Sequence, residues 1–349
     1  MQLSRQSFGQ LDDRTAELFT FYDPVSGFSV SISDFGATLV RVKVPDRTGK
    51  VEDISFGHNS VDEYALNSGY FGGLVGRTIS RIVNGKFTLD GQEYHLTLNN
   101  NGHHKHGGEK SFAHKFWKVK DVSVAEYTGR LCLEYFSKDG EEGYPGNLRT
   151  QIDFFITPNS IEWELKATTD KSTIVNLTNH AYWNLDGLTT TVDNLCLSVN
   201  ASKVMEYNSS GSPTGELKSV IDTALDLHSP KFLYSLFDSV GDLDHVFPLD
   251  GYAQKHTFRD LFLAAELASK ISGRKMRVFT TEPYLIVYSG NYMGKIPTFN
   301  HECVKHNGIC LETIRPPNAI NFPSMASLVI LRPDSEYYAK TKIEFLIEK

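Results

Sequence analysis

Between Ile152 and Ala167 the chain changes sides at every residue. Ile152, Phe154 and Ile156 are followed by Ile161, Trp163, Leu165 and Ala167, the latter set alternating with Glu162, Glu164 and Lys166. A period of two puts successive side chains on opposite faces, so these runs predict half-buried strands. The same pattern recurs at Phe28, Val30 and Ile32, at Leu39–Val44, at Leu131–Phe136 and over Tyr337–Leu346, and Leu328–Leu331 is a short continuous apolar run. Asn84-Gly85, Asp90-Gly91, Asp139-Gly140, Asp250-Gly251 and Asn307-Gly308 supply tight reversals, and Phe87–Leu89 with Tyr94–Leu96 across Asp90-Gly91 predicts a hairpin. Helical spacing is scarce, Phe258–Ile271 being the best stretch for it. Strands, frequent turns and few helices predict an all-β architecture, a large antiparallel β-sandwich of two packed sheets. No Pro/Ser/Gly tract divides it, so residues 1–349 are expected to form a single domain.

Composition narrows the function. A formal net charge of −7 without a dense Lys/Arg run argues against nucleic-acid binding. There is no apolar run of about 18 residues to cross a membrane, and the N-terminal Met1–Gly9 segment lacks the apolar stretch of a secretory signal. Cys132, Cys196, Cys303 and Cys310 show no C-x-x-C spacing and read as reduced thiols, so a soluble cytoplasmic protein is expected.

Chemistry gathers in a few polar stretches. Asn176–Leu185 mixes core-sized Leu177, Tyr182, Trp183 and Leu185 with Asn176, Thr178, Asn179, His180 and Asn184, each of which needs a partner if buried. Taken alone, His180 reads as a satisfied core histidine ahead of an acid–base group. Arg77 and Arg81 suit multi-point bonding of oxygens, or a charged strand surface. His103, His104 and His106 invite a metal, yet no Cys or carboxylate pattern nearby completes a site. His106, bracketed by Gly107 and Gly108, reads as well as a substrate ligand or a solvated turn. Asp242–Phe247 is a short acidic loop. Glu312 follows an apolar stretch that predicts a buried strand, where a carboxyl has a raised pKa unless paired and suits a general base. His301, Glu302 and His306 miss the H-E-x-x-H spacing, and no G-x-S-x-G, Walker loop or dinucleotide fingerprint is present.

Taken in order, these motifs resemble the aldose 1-epimerase, or galactose mutarotase, family from Gly36 to beyond Pro323. The resemblance is carried by Gly76–Phe87, His106–Gly108, Thr178–Leu185, Asp244–His245, Thr280–Asn291 and Cys310–Thr313. It implies a supersandwich with a sugar cleft on one sheet. The activity it implies is interconversion of the α and β anomers of free hexoses such as galactose and glucose, with no cofactor and no metal. Glu312 would be the base that takes the C1 hydroxyl proton, and His180 the acid that protonates the ring oxygen. Arg81 and His106 would hold and polarise oxygens near the reacting centre, Asp244 would bind sugar hydroxyls, and Ser80 would bond the sugar where the family usually has Asn. A carboxylate facing an imidazolium is the expected charge state. The partner is the small-molecule hexose, with no nucleic acid or membrane, and the assembly a monomer or weak dimer.

Two further departures are Ile286 and Ile314, where amides are found in the family, which implies fewer hydroxyl contacts and a shifted hexose preference. The alternative on the same fold is a catalytically silent sugar-binding or regulatory protein. An epimerase of phosphorylated sugars would need a basic cluster for the phosphate.

Overall fold

The structure, a computed structural model, describes residues 1–66 and 69–348. Its largest sheet has nine antiparallel strands in the order 118–124, 129–137, 148–157, 160–169, 337–347, 274–280, 262–269, 195–199 and 231–232. The alternating runs around Ile152–Ala167 sit near its middle, where Phe154 pairs with Trp163 and Leu165 with Ala339. Facing it are a five-stranded sheet (2–11, 14–22, 29–33, 38–45, 51–53) and a four-stranded one (182–183, 309–314, 284–288, 244–248). One apolar core, from Phe19 to Phe345, fills the space between them. The sandwich expected from period-two patterning is the fold found.

The Lys86–Leu89/Gln92–His95 hairpin forms as expected, with Asp90 (φ 52°) and Gly91 (φ 80°) both left-handed at its turn. The helix expected within Phe258–Ile271 does not form: Phe262–Ser269 is a strand of the large sheet, paired on both sides. Its neighbours supply a full ladder of hydrogen bonds, and tertiary pairing overrides weak helical spacing. Among the described residues the longer of two short α-helices instead spans Leu233–Val240, where Leu233 and Leu236 turn into the core. The Leu328–Leu331 run divides into a 3-10 turn at Ala326–Leu328 and a two-residue strand at Ile330–Leu331.

The two arginines part company. Arg77 is 1% exposed and spends its guanidinium on the protein's own oxygens. It donates to Ser137 Oγ (2.8 Å), the carbonyls of Ser137 (3.1 Å), Lys138 (3.0 Å) and Pro145 (3.0 Å), and Thr173 Oγ1 (3.4 Å). Burial pulls its pKa down to about 10, so it stays charged at neutral pH. Arg77→Met is expected to lower stability by about 3 kcal/mol or more, because several buried acceptors lose their donor at once. Urea denaturation checks it: the midpoint should fall with the slope unchanged, and an unmoved midpoint would deny Arg77 this bracing role.

Candidate active site

The four-stranded sheet builds the site by alternation. On the Ile309–Ile314 strand, Ile309 and Leu311 enter the main core, while Cys310, Glu312 and Ile314 point to the opposite face. Register carries that face sideways: Ile286 lies opposite Glu312, Tyr288 and Tyr182 flank Cys310, and Asp244 lies opposite Tyr288. Two small ladders complete the walls. Thr178–Asn179 pairs with Leu74–Val75 and delivers His180, and Arg81–Ile82 pairs with His104–Lys105. The result is a cleft of about 290 Å³ lined by Tyr70, Ser80, Arg81, Lys105, His106, His180, Tyr182, Tyr207, Asp244, Ile286, Tyr288 and Glu312, among others.

At its floor His180 Nε2 lies 3.7 Å from Glu312 Oε1, both side chains being nearly fully buried. Among the described residues Glu312 Oε2 has no hydrogen-bond partner, an orphan acceptor awaiting a donor. Burial and the nearby Asp244 carboxylate push the Glu312 pKa up to about 8, with the Lys105 ammonium pulling back. Burial, assisted by Lys105, pulls His180 down to about 3. Desolvation therefore favours the uncharged carboxyl and imidazole over the carboxylate–imidazolium pair expected from sequence. Between those two values the pair holds one proton in total, whichever partner carries it.

The remaining geometry orients the imidazoles. Cys310 Sγ sits 3.6 Å from His180 Nδ1. Burial holds the Cys310 thiol well above its usual pKa, so it stays protonated. With Nδ1 turned to Cys310, Nε2 is the nitrogen left to exchange a proton on the cleft side. His180, Cys310 and Glu312 place N, S and O atoms within 4.8 Å of one another, and Cys310 would have to give up its thiol proton to act as a ligand. His106 Nδ1 accepts the Ser80 backbone N–H (3.3 Å), which leaves its Nε2–H to donate into the cleft. Burial and the surrounding cations keep His106 neutral, its pKa well below the ordinary value.

Glycine makes that placement possible. Gly107 (φ 85°) follows His106 so closely that a Cβ there would lie 1.9 Å from the Gly76 carbonyl oxygen. Arg81 donates Nη1–H to the Gly211 carbonyl, and its buried Nε has no partner among the described residues. Tyr70 and Tyr182 stack near-parallel to His180, at 6.0 and 5.1 Å.

The expected residues Glu312, His180, Arg81, His106, Asp244 and Ser80 all line this one cleft. Asp244 begins a strand, where a loop was expected, and burial raises its carboxyl pKa against the pull of Lys105 and Arg81. Trp183 faces the main core, not the cleft, as its place one residue after Tyr182 requires. Ile314 packs into an apolar cluster beside the cleft, while Ile286 lines it. His104 is a core histidine bonded to the Thr97 carbonyl and Tyr144 Oη, and His103 Nδ1 accepts from the Asn84 N–H. The three neighbouring histidines thus serve three separate places. Asn176 and Asn184 bond the backbones of Arg315 and of Thr190 and Asn307, holding the strands on which the site depends. Tyr70, Lys105, Tyr207 and Tyr288 were not singled out from sequence. For Lys105 the signal was its place directly before His106.

A buried carboxyl–imidazole pair among unpartnered donors and aromatic rings is a set of groups capable of acid–base chemistry. Comparison with known proteins says which kind. The aldose 1-epimerase family model matches residues 17–344. The human galactose mutarotase is 32% identical over 350 residues, covering 99% of each chain. The aldose 1-epimerase of Escherichia coli is 31% identical with 93% of each chain covered. The crystal structure of galactose 1-epimerase from Lactobacillus acidophilus superposes with a TM-score of 0.85 at 26% identity, covering 100% of this chain and 99% of that one. This chain belongs to the aldose 1-epimerase family, a family of isomerases.

Proposed function

We propose that the protein is a mutarotase acting on free hexoses such as galactose and glucose, with Glu312 and His180 as its proton-transfer pair. The carrying observation is their 3.7 Å approach at the floor of the cleft, with Glu312 Oε2 unpartnered among the described residues. In the productive tautomer Glu312 takes the proton of the C1 hydroxyl as His180 Nε2 gives one to the ring oxygen. The C1–O5 bond then opens to the aldehyde. Rotation about C1–C2 and return of both protons closes the other anomer, leaving the pair's single proton conserved. Arg81 Nε and His106 Nε2–H are donors free to take sugar oxygens, Asp244 accepts hydroxyls at the mouth, and Ser80 orders His106 through its backbone. Tyr182 and its aromatic neighbours suit the apolar face of a pyranose.

One domain is supported by the unbroken core from Phe19 to Phe345. A cytoplasmic setting is supported by four free, buried cysteines. A monomer suffices, since one chain lines the whole cleft.

The test is polarimetry of freshly dissolved α-D-galactose and α-D-glucose with and without protein. Rotation should decay faster than in buffer for at least one. Folded protein that accelerates neither would reject the proposal.

A further inference from the structure

We propose that Lys105 is a third catalytic group, whose ammonium donates a hydrogen bond to an oxygen at the anomeric end of the sugar and offsets the negative charge that builds there as the ring opens. This role rests on the mutarotase reading above.

Lys105 is pinned where it stands: its N–H donates to Asn99 Oδ1 (2.7 Å) and its carbonyl accepts from Asn99 Nδ2 (2.9 Å). It lies directly across the ladder from Arg81, and both side chains line the cleft. Like charges in directly opposed positions are destabilising, so this pairing is a cost that the fold accepts. Lys105 is half-buried, yet its Nζ makes no hydrogen bond or ion pair among the described residues. Amines withdrawn from water normally find such partners.

The charged and titratable groups it faces are Arg81, His106, His180, Asp244 and Glu312. Burial lowers the Lys105 pKa, while Asp244 and Glu312 draw it back up. A structural lysine would close onto one of those carboxylates. This one keeps its donors for a ligand, beside an acid–base pair whose imidazole is disfavoured from charging by its burial. A cation there also tempers the Asp244–Glu312 repulsion, making the base easier to ionise.

The experiment compares wild type, Lys105→Met and Lys105→Arg as full-length proteins, by polarimetry across sugar concentration and pH. Lys105→Met is expected to lower kcat by about 10²-fold, the usual cost of losing one preorganised donor. KM should move little, and the alkaline limb of the pH–rate profile should shift upward, because the ammonium no longer favours the ionised Glu312. Lys105→Arg, which keeps the charge, should restore most of the loss. Lys105→Gln replaces Met if urea denaturation shows that Met disturbs the fold. Unchanged kcat and an unmoved alkaline limb in the neutral variant would overturn the proposal. So would a loss confined to KM, or a stability change without a pH shift. Wild type inactive on every sugar would instead fail the mutarotase reading, and this role with it.

Discussion

Glu312→Gln should reduce turnover by about 10⁴-fold, the upper end of what one proton-transfer group supplies, with the fold intact. The amide has the shape of the carboxyl and cannot take the C1 hydroxyl proton. Little is lost on the structural side. Among the described residues Oε2 has no partner and Oε1 has only His180 Nε2 at 3.7 Å, so no strong bond breaks. The pH dependence of stability tests the same assignment. The folded pKa is about 8, raised above the unfolded value near 4.3. Whatever stability protonated Glu312 contributes is therefore fully present below about pH 4 and lost as pH rises towards 8. The Gln variant has no such term, so its urea midpoint should gain on wild type across that window. A variant that keeps more than a tenth of the wild-type rate would remove Glu312 from the base position.

That Glu312 stands out in the sequence has a physical reason. A strand between two packed layers is apolar on both faces, and one carboxyl inside Ile309–Ile314 stands out against it. The sandwich was legible for the same reason: period two survives wherever one face meets the core, as at Ile161–Ala167. Phe262–Ser269 was missed because Leu263, Ala264 and Ala265 carry no clean alternation, and a bulge between Leu263 and Ala265 shifts the register just there. Arg77 and Arg81, four residues apart, gave no hint that one braces the interior and the other enters the cleft. That division depends on Ser137, Pro145 and Thr173 coming together around one of them from distant strands. The charge state was beyond sequence too. Only burial, together with Asp244 and Lys105 at close quarters, decides that Glu312 and His180 share one proton.

That shared proton makes His180→Asn the second decisive variant. Asn cannot shuttle a proton to the ring oxygen, so turnover should fall by about 10³-fold, leaving Glu312 to act alone. Wild-type kcat/KM should hold level while the pair retains its single proton and fall above about pH 8, as Glu312 gives it up without His180 taking one. In the Asn variant the residual rate should rise through the Glu312 ionisation, because only the base then matters, and the slope on the alkaline side reverses sign. Stability offers an independent reading. The folded His180 pKa of about 3 lies below the unfolded value near 6.5, so burying it neutral stabilises fully above about pH 6.5 and progressively less as pH falls towards 3. Replacing it should make the protein less acid-sensitive over that interval, although Tyr70, Tyr182 and Cys310 lose their packing partner. A His180→Asn enzyme with near wild-type turnover and an unchanged alkaline limb would mean that the ring oxygen takes its proton from another group. Lys105, on the same cleft wall, would then be the first donor to examine.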